Sequence, residues 1–249
     1  MNPVDTVPLM LLALHLLALG VGTIIFFAMI ILHRRAREME RKATAGFKTT
    51  FTGRPLAQGP PVWLAIRSTR SKAVWDALGL TCAVPCSWQE GINGDSELFI
   101  SPPVDGWIIV TGSRLPQPVR DVDACFLFLV CLSRALGHVQ FFMADAVRCH
   151  HAWVRVENGT VTRAYAWVNE TVWNQGPKTL AEIELNMKCL NYGEDAEVAN
   201  RATGSSTAAN VNKIPALAAR WSIDPAAVNG DGQVPRNGVA AKSSRSHQD

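Results

Sequence analysis

The densest group of side chains with catalytic potential in this sequence lies between Asp145 and Arg155. Cys149, His150 and His151 are consecutive, and a Cys near a His can act as nucleophile and base. Consecutive residues of a strand point to opposite faces of a sheet, so His150 and His151 are not expected to share a metal ion. One functional hypothesis is therefore a hydrolase that uses His151 with Cys149 or Asp145.

A second interpretation of the same stretch is a binding surface. His151, Trp153 and Arg155 alternate along a predicted strand, which places them on one face of a sheet. A Trp and an Arg on one surface can hold a planar or anionic ligand by stacking and by charge. We predict these three residues as the candidate binding site. The alternative is an ordinary strand face whose Trp153 is covered by a helix at residues 214–225.

No complete catalytic or cofactor-binding motif is present. The sequence lacks a phosphate-binding loop, a dinucleotide fingerprint, a Gly-x-Ser-x-Gly elbow, a His-Glu-x-x-His pair, an EF-hand loop and a kinase signature. Cys82 and Cys86 are closely spaced but have no matching second pair, which zinc ribbons require. We therefore expect no cofactor and no metal site, and a non-enzymatic role is favoured over an enzymatic one.

The candidate residues lie on a predicted β-hairpin. Two strand-like segments, His150–Glu157 and Thr160–Val168, flank Asn158-Gly159, which is the preferred two-residue hairpin turn because both positions need positive φ. An uninterrupted register would put the face with His151 toward solvent and the opposite face in the core. The predicted cross-strand pairs are Val156 with Val161, Val154 with Arg163 and Ala152 with Tyr165.

The elements before the hairpin predict the fold class. Strands are predicted at 62–66, 97–101, 107–111 and 138–143, with helices at 71–78 and 121–136. This βαββαβ order is typical of a ferredoxin-like sandwich, which the hairpin would extend. We therefore predict an α+β fold, an antiparallel sheet with helices on one face, preceded by a single transmembrane helix.

Changes in composition divide the chain into seven segments. The predicted boundaries are a short N-terminal segment at 1–8, a transmembrane helix at 9–32, a basic juxtamembrane linker at 33–61, a soluble α+β domain at 62–193, a flexible loop at 194–213, a docking helix at 214–225 and a disordered tail at 226–249.

The prediction of a membrane-spanning segment depends on Leu9–Leu32. These 24 residues contain no Asp, Glu, Lys or Arg, and His15 is their only titratable side chain. As a helix they would extend ~36 Å, enough to cross a hydrocarbon core of about 30 Å. A cleaved signal peptide is excluded as an explanation, because the start is acidic and Arg follows where small residues should stand.

The charges around this segment predict its orientation. Basic residues remain on the cytoplasmic side of a span, and all those near this span follow it. We expect the N-terminus outside and the C-terminal domain in the cytoplasm, anchored in the inner (plasma) membrane. The basic cluster should also contact anionic lipid headgroups. It comprises Arg34, Arg35, Arg37, Arg41 and Lys42.

The distribution of charge argues against nucleic acid as a partner. The net charge is +3, but residues 62–195 hold eleven Lys/Arg against fourteen Asp/Glu. A nucleic-acid-binding domain concentrates positive charge on its folded part. We therefore expect a membrane-anchored module for an unidentified protein partner or a small ligand, with no nucleic acid. The two alternatives are a membrane-anchored hydrolase and a structural role through self-association of the span.

Overall fold

An antiparallel sheet of nine strands organises the part of the chain that the structure describes. The computed structural model describes residues 60–80, 83–93, 97–204, 206–224 and 237–241. The strand order is β2-β9-β3-β4-β1-β5-β6-β7-β8, and every neighbouring pair is antiparallel. Helices pack against this sheet, so the predicted α+β class with an antiparallel sheet is confirmed.

The elements follow one another in chain order with short connections. The strands are β1 Val62–Arg67, β2 Ala83–Cys86, β3 Leu98–Ile100, β4 Trp107–Thr111, β5 His138–Asp145, β6 His150–Glu157, β7 Thr160–Trp167, β8 Thr171–Gln175 and β9 Gly238–Ala241. The helices are α1 Ser71–Ala77, α2 Trp88–Asn93, α3 Val122–Leu136, α4 Leu180–Glu184, α5 Ala196–Thr203 and α6 Ile214–Trp221, and a 3-10 helix covers Thr207–Lys213.

The first face of the sheet packs against α1 and α3. Alternate residues of β1 and β5, such as Leu64 and Phe141, meet Leu129 and other buried residues of α3 there. The helix α3 forms where predicted, because Asp121 caps its N-terminus by accepting from Ala124 N and the backbone leaves the helix at Gly137 with φ 87°.

The second face carries most of the aromatic residues and is also covered by helices. Six of the eight Trp belong to its core, where they pack with Phe99, Phe142 and Tyr165. The residues that cover them come from the segment after α4 and from α6, with Leu217 and Ala218 buried. The prediction of helices on one face is therefore incomplete, since α6 docks on the face opposite α3.

The β6–β7 hairpin differs from the predicted register by one residue. The turn at Asn158 and Gly159 has the expected positive φ values, 49° and 80°, and Val156 faces Val161 as predicted. A β-bulge between Arg155 and Val156 then shifts by one residue every pair that lies farther from the turn. Such a slip exchanges the two faces of a strand. The observed pairs are Arg155 with Arg163, Val154 with Ala164, Trp153 with Tyr165 and Ala152 with Ala166.

Three segments are more ordered than predicted. The predicted flexible loop 194–213 contains α5 and the 3-10 helix, with Thr207 and Asn210 buried. The predicted disordered tail contributes β9, which lies between β2 and β3. The polar segment after the hairpin forms β8, whose Trp173 is buried in the first core. These segments are ordered by pairing with residues that are distant in the sequence. The local composition of a segment does not reveal such pairing.

The helix α4 is shorter than its sequence pattern predicts. The sequence Thr179-Leu-Ala-Glu182 is a capping-box pattern, and Leu180, Ile183, Met187 and Leu190 follow at helical spacing. The capping box forms, but the helix ends at the C-cap Leu185. Leu180 and Ile183 consequently remain exposed, at 77% and 56%. The apolar periodicity beyond residue 185 belongs to an extended segment that inserts Met187 and Leu190 into the second core.

The predicted N-terminal segment at 1–8, the predicted transmembrane helix at 9–32 and all of the predicted linker at 33–61 except Pro60 and Pro61 lie outside the described residues. Within the described ranges, no helix combines the length and the hydropathy that a membrane crossing requires. All of the described residues belong to one compact unit.

Candidate functional site

The first predicted binding residue, His151, is buried and fully hydrogen-bonded. Its Nε2 lies 3.2 Å from Asn210 Nδ2, and its Nδ1 lies 3.1 Å from the Cys149 carbonyl oxygen. The Asn210 amide nitrogen can only donate, so Nε2 accepts and Nδ1 carries the proton. Burial lowers the pKa of His151 to about 4. The ring is therefore neutral near pH 7 and holds the 3-10 helix against β6.

Trp153, the second predicted residue, is equally inaccessible. Its Nε1 donates to Glu182 Oε1 at 2.8 Å, inside the second core. The same carboxylate forms an ion pair with Arg163, at 2.8 Å from Nη2 to Oε1, and both side chains are at most 2% exposed. Thr179 donates to the other oxygen from its backbone N and from its hydroxyl. This arrangement joins α4 to the hairpin and leaves no surface for a ligand.

Arg155 is the one member of the predicted trio that reaches solvent. Its Nη2 lies 2.7 Å from Glu157 Oε1, and its side chain is 36% exposed. The structure therefore separates the three residues, because His151 and Trp153 are interior and Arg155 lies near the end of the sheet. The exposed polar face that the uninterrupted register predicted is absent, since the bulge brings Tyr165 and Trp167 onto the same face as Trp153.

The residues of the hydrolase hypothesis do not form a catalytic group. The Cys149 thiol is exposed and contacts only the Ala146 carbonyl oxygen, at 3.9 Å, within the described chain. The Asp145 carboxylate accepts from the backbone N of Val147 and Arg148 and closes the β5–β6 turn. Both ring nitrogens of His151 are occupied elsewhere, so it cannot act as the base for Cys149 in this structure.

A different polar surface lies at one end of the sheet, and we call it the end-of-sheet cleft. Its volume is about 450 Å³, and it is open to solvent. The residues that line it are Arg67, Leu136, Gly137, His138, Glu157 and Asn158.

Strand register brings these residues together. Arg67 is opposite Trp107 on β4, and His138 is opposite Glu157 on β6. The pairing of β1 with β5 continues toward Arg67 and His138, so the four side chains form a row across neighbouring strands. The Trp107 and His138 rings meet edge to face at 5.2 Å. This row combines an aromatic group, a guanidinium, an imidazole and a carboxylate.

The end of α3 fixes the floor of the cleft. Ser133 Oγ donates to the Gly137 carbonyl at 2.7 Å and accepts from Gly159 N at 3.1 Å. Asn158 N donates to the same Gly137 carbonyl at 2.8 Å. The hairpin turn is thus attached to the C-terminus of α3, and the cleft is built on rigid elements rather than on a free loop.

The protonation state of His138 follows from Gln140. The Gln140 amide nitrogen donates to the Trp221 carbonyl oxygen and lies 3.1 Å from His138 Nε2. Because the carbonyl fixes which end of the amide carries the hydrogens, Nε2 of His138 must accept. The ring proton is therefore on Nδ1, which has no partner among the described residues. Burial, with Arg155 and Arg67, lowers the pKa of His138, although Glu157 opposes them.

Arg67 is the cation of this surface that has no partner among the described residues. Its side chain is exposed and forms no hydrogen bond or ion pair within the described ranges. By contrast, Arg155 is neutralised by Glu157. The cleft can therefore offer two kinds of donor to a ligand, the Arg67 guanidinium and the His138 Nδ1–H.

Arg67 and His138 are not recognisable as site residues from the sequence alone. Each stands at the end of an apolar strand, Arg67 after Val62–Ile66 and His138 before Val139–Met143. A charged or polar residue at a strand end is usually exposed to solvent without any special role. Its presence in the sequence is therefore only a weak indication of a site. Only the strand order, which makes β1 and β5 neighbours, identifies the two as one site.

Within the described part of the chain, no group of three or more His, Cys, Asp and Glu residues is placed to hold a metal ion. No protein-family model, curated protein or solved structure matches this chain. Functional inference therefore depends on the geometry of the chain itself.

Proposed function

We propose that this chain is a single-pass membrane protein whose cytoplasmic α+β domain is a binding module and that its binding surface is the end-of-sheet cleft. The observation that carries the proposal is the exposed Arg67 guanidinium, which has no partner among the described residues, beside the half-buried His138 in an open cleft. A solvent-accessible cation on rigid strands is available to a partner without rearrangement, whereas the buried residues of the hairpin are not.

Membrane anchoring is supported by the sequence of residues 9–32 and by the basic cluster that follows it. An anchor confines the domain to the membrane surface and so raises its local concentration toward partners in the same membrane. The cluster Arg34, Arg35, Arg37, Arg41 and Lys42 would add contacts with anionic lipid headgroups of the cytoplasmic leaflet.

We further propose that β1, β3, β4 and β5 with α1 and α3 are a ferredoxin-like unit. The support is their order in the sheet, β3-β4-β1-β5, together with a helix in each of the two crossovers. The remaining strands extend this unit at both edges. The cleft would then lie where the added hairpin meets the central strands.

The proposal predicts a partner whose recovery depends on Arg67. The full-length protein, its Arg67→Glu variant and an Arg70→Glu control would be expressed at equal levels and purified from membranes in mild detergent. We expect at least one protein to be recovered with the wild type and the control and to be reduced about tenfold or more with Arg67→Glu, since the change reverses a charge at the binding surface.

Arg70 is the matched control because it is also exposed and lies three residues further along the chain, outside the cleft. Equal recovery of every protein with all three variants would show that the cleft is not the binding surface. Equal loss with both variants would show that only net charge matters, which also contradicts the proposal.

A further inference from the structure

We propose that the end-of-sheet cleft binds a single carboxylate group, held by the Arg67 guanidinium and the His138 Nδ1–H, with Trp107 beside the bound group. The inference rests on the proposed function, because it names the ligand chemistry of the same surface. It goes beyond that function by specifying the charge, the acceptor atoms and the discrimination of the site.

The donors of the cleft require an acceptor. Arg67 presents a planar fork of N–H groups that matches the two oxygens of a carboxylate. His138 adds a directed N–H, because Gln140 holds its Nε2 as an acceptor. Neither group has a protein acceptor within the described residues, so a bound oxygen would gain hydrogen bonds without displacing any that the structure shows.

The local charge selects a single negative charge over two. Arg67 and Arg155 contribute two positive charges, and Glu157 contributes one negative charge. The C-terminus of α3 ends at the cleft with Leu136 and Gly137, and a helix C-terminus carries partial negative charge. A carboxylate, with one negative charge, balances the one positive charge that remains. A phosphate near its dianionic form would be repelled by the Glu157 carboxylate and by the C-terminus of α3.

The site also disfavours ligands that carry no negative charge. Trp107 is outside the lining of the cleft but packs edge-on against His138, so an apolar ring lies next to the imidazole of the site. An aliphatic or aromatic body attached to the carboxylate could contact this ring. A ligand without the carboxylate would leave the Arg67 fork unpaired, and a cation would be repelled by it.

The test uses the full chain in detergent micelles with ¹⁵N-labelled histidine. Acetate is titrated first, and the His138 ring resonances are followed. We expect a saturable shift of Nδ1, at least about tenfold weaker binding in Arg67→Ala, and unchanged binding in Arg70→Ala. Arg67→Lys keeps the charge but lacks the fork, and we expect it to fall between the wild type and Arg67→Ala.

Inorganic phosphate and two peptides complete the design. Phosphate should bind more weakly than acetate. A short alanine peptide with a free C-terminus should bind and its amidated form should not if the natural carboxylate belongs to a protein, whereas acetate binding as tight as the peptide would indicate a free small acid. No Nδ1 shift with acetate, or phosphate binding as tightly as acetate, would overturn the proposal.

The two proposals fail in different ways. A membrane partner that is lost with Arg67→Glu, combined with no acetate shift, would refute the carboxylate assignment and leave the binding module intact. Acetate binding that depends on Arg67, combined with equal partner recovery from all variants, would refute the partner-binding function and leave the carboxylate site in place.

Discussion

At the scale of single residues, the second face of the sheet contains two ionisable side chains that are buried by different means. His151 is kept neutral, with both ring nitrogens hydrogen-bonded. Arg163 remains charged and satisfies its donors with Glu182, with Asn174 and with the backbone carbonyls of Ala164, Gln175 and Gly176. In both cases, removal of one partner should lower the stability of the fold, because a buried polar group then loses its hydrogen bonds.

His151 should make the stability of the domain depend on pH. Its pKa of about 4 in the folded protein lies below the usual value of about 6.5. Between these values the unfolded chain binds a proton that the folded chain does not, so stability falls as pH drops from 7 toward 4. We expect His151→Gln to reduce the loss between pH 7 and pH 5 by about 2 kcal/mol.

Urea unfolding of the full chain, followed by tryptophan fluorescence, measures this effect, because all eight Trp lie between residues 63 and 221. Burial also lowers the pKa values of His138 and His150, so the variant should retain part of the dependence. The same pH dependence in wild type and variant would show that His151 is not buried as a neutral ring.

Removing both members of the Arg163–Glu182 pair should destabilise the domain by less than the sum of the two single removals. Arg163→Met leaves a buried carboxylate without its cation, at a cost of about 3–5 kcal/mol. Adding Glu182→Gln removes the charge and keeps an acceptor for Trp153. We expect the double variant to be less destabilised than the sum of the singles by about 1 kcal/mol or more. Additive costs in urea unfolding would contradict a direct pair.

At the scale of elements, β9 is the strand that completes the sheet. Within the described residues it is the only strand that pairs with β2, and it also pairs with β3. Gly238 lies against Phe99 and the Ile100 carbonyl, where a Cβ atom would be 2.5 Å from the ring and 2.6 Å from the oxygen. The absence of a side chain at Gly238 is therefore a steric requirement of this position.

Gly238→Val should release β9 and expose the strands on both sides of it. The added side chain meets a backbone oxygen, which cannot move without breaking the sheet. Hydrogen exchange measured by mass spectrometry should show faster exchange in β2 and β3 and unchanged protection in β5, β6 and β7. Asn237→Ala is the control, because Asn237 is exposed. Unchanged protection in β2 would show that β9 does not hold it.

The local signals of the sequence predicted elements well and their pairing less well. Capping residues located α3 and the capping box of α4, and Asn158-Gly159 located the hairpin turn. The bulge after Arg155 has no local signal, and one shifted residue moved Tyr165 and Trp167 to the opposite face. The cleft could not be predicted either, because Arg67 and His138 are neighbours only through the strand order.

At the scale of the whole molecule, the proposed function requires the domain to lie on the cytoplasmic side of a membrane. The domain exposes Cys131 and Cys149, and residues 1–32 contain no Cys. These thiols can therefore report the location of the domain, and a Cys introduced in place of Asp5 can report the location of the N-terminus.

A membrane-impermeant maleimide should label the wild type in sealed inside-out vesicles and leave it unlabelled in right-side-out vesicles. An Asp5→Cys variant that also carries Cys82→Ser, Cys86→Ser, Cys131→Ser and Cys149→Ser should give the opposite pattern. Labelling of the wild type from the outside would reverse the proposed orientation, and release of the protein by alkaline carbonate would refute the anchor.

The position of β9 in the sheet also sets an order of events during synthesis. The ribosome makes β2 and β3 long before the strand that joins them, and all other described strands are complete by Gln175. Until Gly238–Ala241 has left the exit tunnel, the nascent chain presents the edge of β3 unpaired, which is a template for association with other chains. The emergence of Gly238–Ala241, rather than the assembly of the aromatic core, therefore decides when this edge is closed.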